Sequence, residues 1–284
     1  MSFIPQKENV RKYKKAFIVV FVLLNIYGLL CGVIYFFQEN LIFLPTILSQ
    51  EHSFVMDSPF EEVTLKAEDG ALLNGLHFKV ENSRGTILYF HGNAGNLQRW
   101  GQLTEFFVEM NYSVIVMDYR GYGKSTGKKS MEKLYADSEL WYSYAKQEYS
   151  ENEIIVYGRS LGTTFATYLA SHNQPKNLIL ESPFYSIEEV AKSRFPFLPI
   201  KSLLHYKFPT YQYINKVSCP ITIYHGTKDS VINYKQGEKL FNSIEKENKS
   251  LISVPNGGHN DLVSFDGYLN TIEEVLEKKL EEFL

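Results

Sequence analysis

The chain has 284 residues, 44% of them hydrophobic and 21% charged, which suits a leader segment followed by one globular domain of roughly 230 residues. Its net charge of −3 gives no reason to expect a nucleic-acid partner, and its two cysteines, Cys31 and Cys219, supply no disulfide framework. The charge is unevenly placed: Lys7, Arg11, Lys12, Lys14 and Lys15 against Glu8 make residues 1–15 net +4, leaving −7 for the remainder.

Ala16 to Phe37 is a run of 22 residues without a charge. As a helix it covers about 33 Å, enough to cross a hydrocarbon core. Basic residues flank its N-terminal end and Gln38-Glu39-Asn40 its C-terminal end. The positive-inside rule then predicts a cytoplasmic tail (1–15), a transmembrane anchor (16–37), and all that follows on the far side of the membrane: periplasmic, extracellular or lumenal. A cleaved signal peptide would need a shorter apolar region and a small-x-small cleavage site, which Tyr35-Phe36-Phe37-Gln38 does not provide. Asn40 to Pro45 stays apolar, and the sequence leaves open whether it rests on the membrane or packs under the domain.

After a juxtamembrane linker (38–59), residues 60–284 alternate between strands and helices. Val63–Leu65 and Leu72–Val80 form a hairpin around Glu68-Asp69-Gly70. Strands over Gly85–Phe90, Tyr112–Met117, Ile154–Tyr157, Leu178–Leu180, Ile221–Tyr224 and Leu251–Val254 are expected to alternate with helices over 96–109, 130–148 and 161–171. A final amphipathic helix carries Ile272, Leu276, Leu280 and Phe283 on one face. Such alternation predicts an α/β fold, a mostly parallel, doubly wound sheet. Pro183 to Val217 interrupts the rhythm with aromatic, proline-rich chain, and an insertion of that length is expected to form a lid.

Gly158-Arg159-Ser160-Leu161-Gly162 follows a β-branched strand and precedes a helix with small residues Gly162, Ala166 and Ala170 at helical spacing. A serine in that sharp strand-to-helix turn is a nucleophile elbow, and the flanking glycines leave it room. A serine hydroxyl needs a base, normally a histidine oriented by a carboxylate. His259 is the only histidine after Asp229, and each lies just beyond a strand, so Ser160, Asp229 and His259 are the expected catalytic residues. Glu181 is the rival acid; Asp261 sits beside the histidine and serves better as a local cap. Two glycines, Gly257 and Gly258, are expected to give the histidine loop its flexibility. The backbone N–H groups of Leu161 and Asn93 are the expected oxyanion donors, the latter in the loop His91 to Asn96. His91 and His225, each ending a strand, are expected to be buried and hydrogen-bonded.

Gly123-Lys124-Ser125 ends like a phosphate-binding loop, but Asp118 stands where the first glycine would fall. No cysteines or histidines have metal-ligand spacing, and the chemistry expected here calls for neither metal nor cofactor.

Together, His91-Gly92-Asn93-Ala94-Gly95-Asn96, Asp118 to Ser125, Gly158 to Gly162, His225-Gly226-Thr227-Lys228-Asp229 and Gly257-Gly258-His259-Asn260 resemble the α/β-hydrolase superfamily. The resemblance is strongest to its membrane-anchored Bem46-like, abhydrolase-domain serine hydrolases, related to serine aminopeptidases and acyl-peptidases. It implies hydrolysis of a small carboxylic ester or thioester or, less often, a peptide. Two alternatives stay open: an aminopeptidase or acyl-peptidase, for which Glu188 or Glu189 would have to hold a free amine, and a non-catalytic binding module on the same fold.

Overall fold

A computed structural model describes residues 7–277, with the side chains of 7–9 excepted. The chain opens with α1 (Lys7–Ile42), continues through β1 (Leu44–Pro45), β2 (Glu61–Lys66), β3 (Leu72–Phe78), β4 (Thr86–Phe90), β5 (Ala94–Gly95) and α2 (Leu97–Glu109), and reaches β6 (Ser113–Met117) and α3 (Met131–Glu148). Next come β7 (Ile154–Arg159), α4 (Gly162–Ala170), β8 (Asn177–Glu181) and three short helices, α5 (Ile187–Arg194), α6 (Ile200–Leu203) and α7 (Thr210–Ile214). The chain then runs through β9 (Ile221–Gly226), α8 (Tyr234–Asn242), β10 (Lys249–Val254) and α9 (Asp266–Glu277). Leu280 and Phe283, expected on the last helix, lie outside the described residues.

Eight strands form one sheet in the order β10-β9-β8-β7-β4-β6-β3-β2, parallel from β10 to β6 with β3 reversed against β6. Successive side chains of a strand point to opposite faces, and the core divides accordingly. Leu88, Ile115 and Val156 pack with Trp141 of α3 and Phe165 of α4 on one face. Ile87, Val114 and Ile155 pack with Phe107 of α2 and Ile272 of α9 on the other. Asn96 caps α2, its side chain accepting from Gln98 N–H at 3.0 Å, and Ser130 caps α3 through Lys133 N–H at 3.3 Å.

The chain moves outward from β4 to β6, then returns to place β7 on the other side of β4. This reversal opens a crevice at the C-terminal ends of β4 and β7, where ligands of open α/β sheets bind. The loops that follow these two strands carry Asn93 and Ser160.

The described residues include one helix, α1, long and apolar enough to cross a membrane. It runs past the expected end at Phe37 to Ile42, and at 36 residues it is about 54 Å long. The segment beyond it is no free linker: β1 pairs in parallel with β5, and Phe43 is buried against the rings of Tyr206 and Phe208.

Candidate active site

Ser160 sits between the end of β7 and the start of α4 with φ +51°, in the left-handed region that a side chain disfavours. Its backbone is held there by its own N–H, which donates to the carbonyl of Glu181 at 2.8 Å on the neighbouring strand. The two glycines are steric requirements. A Cβ on Gly162 would lie 2.0 Å from the carbonyl oxygen of Phe90, and one on Gly158 would lie 2.6 Å from that of Gly162. The turn is tight because α4 lies directly on the strand end.

The structure brings the three expected side chains together. Nε2 of His259 is 2.9 Å from Oγ of Ser160, and Nδ1 of His259 is 2.7 Å from Oδ2 of Asp229. The carboxylate fixes the tautomer: Nδ1–H donates to Asp229, leaving Nε2 to accept from the serine hydroxyl. Oδ1 of Asp229 accepts the N–H groups of Val231 and Ile232, both at 2.8 Å. Burial pushes the Asp229 carboxyl up, but the nearby His225 ring and the hydrogen bond from His259 outweigh it and hold the group well below the usual carboxylate range. Ser160 and Asp229 are buried, while His259 is partly exposed.

Glu181 is otherwise engaged. Its carboxylate faces the Arg159 guanidinium at 3.1 Å and accepts from the Tyr157 hydroxyl at 2.6 Å. Asp261 caps its own loop, accepting from Gly258 N–H at 2.7 Å. His91 is fully buried, its Nδ1–H donating to Gly92 O at 2.6 Å and its Nε2 facing Asp118 at 3.3 Å. Burial raises the Asp118 carboxyl against the pull of that imidazole. His225, also fully buried, donates from Nε2 to the carbonyl of Ile232 at 2.9 Å.

The two glycines of the histidine loop do not supply its left-handed turn. Neither Gly257 nor Gly258 has a positive φ; the left-handed residue is Asn256, at +62°. Gly257 is small for packing instead, since a Cβ there would lie 2.8 Å from Leu262.

Among the described residues the backbone N–H groups of Leu161 and Asn93 carry no hydrogen bond, and both residues line the cavity that contains Ser160. The Asn93 peptide is fixed from the other side. Its carbonyl accepts from Leu44 N–H at 2.8 Å and the Tyr122 hydroxyl at 2.7 Å, and its side-chain amide donates to Ile42 O at 3.2 Å.

The cavity is about 210 Å³ and largely apolar, with Val190 and Ala191 of α5, Phe195 just after it, and Val231 and Ile232 among its walls. Its one charged lining residue is Arg194; Glu188 and Glu189 do not line it. Glu189 pairs with Lys239.

Arg159, Tyr122 and Gln38 have structural roles at the site that no local sequence pattern signals. Arg159 and Tyr122 lie inside quoted motifs, beside the serine and after β6; Gln38 is a lone polar residue at the end of an apolar helix, where solvent is the default partner.

A family model for serine aminopeptidase, S33, matches residues 81–214. Protein bem46 of Schizosaccharomyces pombe is 31% identical over 262 residues, covering 86% of this chain and 87% of that protein. An uncharacterized membrane protein of Saccharomyces cerevisiae is 32% identical over 230 residues, covering 78% and 81%. Among solved structures, a Pyrococcus furiosus esterase superposes with a TM-score of 0.65 at 20% identity, over 83% of this chain and 99% of that one. With the fold, the strained serine turn and these similarities in place, the chain belongs to the α/β-hydrolase superfamily, in the group that contains Bem46.

Proposed function

We propose that the protein is a membrane-anchored serine hydrolase that cleaves carboxylic esters or thioesters through an acyl-enzyme. The observation that carries this reading is the hydrogen-bonded series Ser160–His259–Asp229, at 2.9 and 2.7 Å, beside two backbone N–H groups without partners.

In the proposed reaction Oγ of Ser160 attacks the acyl carbonyl as Nε2 of His259 takes its proton. The ionised Asp229 stabilises the imidazolium through Nδ1–H. The oxyanion is held by the N–H groups of Leu161 and Asn93. Collapse of the tetrahedral intermediate breaks the bond to the leaving alcohol or thiol, which receives the proton from His259. Water, deprotonated by His259, then attacks the acyl-serine, and a second collapse returns the proton to Oγ and releases the carboxylic acid.

An ester or thioester reading is favoured over an aminopeptidase because, among the described residues, the cavity walls hold no carboxylate to bind a free amine and their one charge is the cation Arg194. A binding module has no use for a strained, hydrogen-bonded serine.

In this reading residues 16–37 cross the bilayer, residues 1–15 stay in the cytoplasm, and residues 60–284 work on the trans side, with 183–217 as the lid. Support comes from the basic N-terminal flank and from the long exposed apolar face of α1.

The test is fluorophosphonate labelling and turnover of short p-nitrophenyl esters by wild type and Ser160→Ala. The variant is expected to lose both. Unchanged turnover by Ser160→Ala overturns the assignment.

A further inference from the structure

The cavity beside Ser160 has a wall that the hydrolase sheet does not supply: Ile34, Gln38, Leu41 and Ile42, all on α1, line it together with residues of the lid. Gln38 is only 2% exposed and its amide is fully used. Oε1 accepts the N–H groups of His205 at 2.6 Å and Tyr206 at 3.3 Å, and Nε2 donates to Leu203 O at 3.1 Å. One turn earlier, Ile34 packs with Ile200 and Leu204 of the lid, and Tyr35 meets the His205 ring edge-on. One turn later, Ile42 accepts the side chain of Asn93. The C-terminal end of α1 is therefore built into both the lid and the loop that carries Asn93.

The same helix is the chain's membrane-crossing candidate. Phe17, Leu24 and Leu29 on it are 72%, 63% and 68% exposed, whereas Ile34 is 6% exposed. Towards the C-terminal end of α1 one face is thus covered while the other stays bare, Phe36 and Phe37 being 76% and 58% exposed. Leu198 packs against the cluster around Ile34, and its neighbour Phe197 is 88% exposed. In the anchor reading the hydrocarbon ends near Phe37, so Ile34, which lines the cavity, sits within one turn of that end.

We propose that α1 is the specificity-determining wall of this site: the substrate's acyl chain lies along Ile34, Leu41 and Ile42 of α1 and faces Val190 and Ala191 of the lid, and is drawn from the bilayer that holds α1. The claim that this chain is then cleaved rests on the serine-hydrolase reading; the claim that it binds here does not. Because the chain passes from hydrocarbon into an apolar groove, its length is selected by the fit to these walls rather than by withdrawal from water.

Two measurements on the full-length chain in phosphatidylcholine vesicles test it. A long-chain alkyl ether bearing a diazirine, which cannot be hydrolysed, is photolysed with wild type and with Ser160→Ala, and crosslinked peptides are mapped. Crosslinks are expected within residues 34–42 and 187–204 in both, and to be lost when the probe is a short, water-soluble ether. Separately, kcat/KM is measured from butanoyl to dodecanoyl esters for wild type, Ile34→Trp, Ile34→Ala and Leu24→Trp. Ile34→Trp is expected to lower the dodecanoyl-to-butanoyl ratio at least roughly tenfold. Ile34→Ala should raise or keep that ratio, and Leu24→Trp, on the bare part of the helix, should match wild type. Crosslinks confined to other segments, or the same chain-length profile in wild type and both Ile34 variants, overturn the proposal. Crosslinks at 34–42 without ester turnover would uphold it while sinking the hydrolase reading.

Discussion

Arg159 donates from Nη2 to the main-chain oxygen of His259 at 3.3 Å and to Oδ1 of Asn260 at 3.2 Å, so the residue just before the serine holds the loop that carries the imidazole. The guanidinium also faces Glu181 and lies over the Trp100 ring, 5.4 Å from its centroid. Removing the charge would strand a buried carboxylate, a cost of about 3–5 kcal/mol that would confuse stability with activity. Arg159→Lys keeps the charge but loses the planar fork that reaches both partners. It is expected to lower kcat about tenfold, with KM nearly unchanged and fluorophosphonate labelling slowed in proportion. A rise in KM at constant kcat would show that the contact with the histidine loop does not position the base.

Backbone strain at Ser160 gives a second prediction. A non-glycine residue at φ +51° costs about 1 kcal/mol or more, which glycine largely avoids. Ser160→Gly and Ser160→Ala should both be inactive, yet the glycine variant should melt roughly 2–4 °C above the alanine variant. Thermal unfolding of the two side by side decides it. An alanine variant as stable as the glycine variant would mean that the turn stores no strain.

Asp229→Asn tests the carboxylate. The asparagine keeps the shape of the side chain and an oxygen for the N–H groups of Val231 and Ile232, but it cannot stabilise an imidazolium or enforce Nδ1–H. We expect kcat to fall about 10³–10⁴-fold on short esters while the fold persists by circular dichroism. Because the carboxyl is held below its ordinary value, wild-type stability linked to Asp229 is present above the unfolded pKa and is lost only as pH falls toward the native one. The asparagine variant should lack that acid-side loss. A kcat within tenfold of wild type would hand the carboxylate role elsewhere.

Why the sequence revealed some of these features and hid others follows from what each residue touches. Strands such as Ile154–Arg159 are buried along their whole length, so their β-branched runs stand out. Ser160 was legible because its two glycines are both needed to let α4 approach the sheet. By contrast, α8 is hard to read: Gly237 and Leu240 are its only fully buried residues, and Phe241 is only partly buried against the core. Its glycine is there for His225, whose Nδ1 would lie 2.2 Å from a Cβ at position 237. Asn40 to Pro45 was ambiguous because an apolar segment suits a membrane surface and a protein core equally well. What decided its place was pairing with Ala94–Gly95, about fifty residues away in sequence, a partnership that no local pattern encodes.

His77 supplies a pH prediction remote from the serine. It is buried on β3, with Nδ1 2.9 Å from the Tyr144 hydroxyl and Nε2 2.7 Å from the Tyr149 hydroxyl. Burial, followed by the nearby Lys79 cation, lowers its pKa from 6.5 to about 4, against smaller opposing pulls from Glu148 and Glu61. The native state therefore holds a neutral imidazole, while the unfolded chain takes up a proton below pH 6.5. With more protons on the unfolded side, stability must fall as pH drops from about 6.5 to about 4 and change no further from this group below that. Replacing the ring by His77→Phe removes the titration, at the expense of both tyrosine hydrogen bonds. The variant should be less stable at pH 7, yet its melting temperature should fall less steeply than wild type between pH 6.5 and pH 4. Parallel curves across that window would mean that His77 is protonated equally in both states, and that burial on β3 does not hold it neutral.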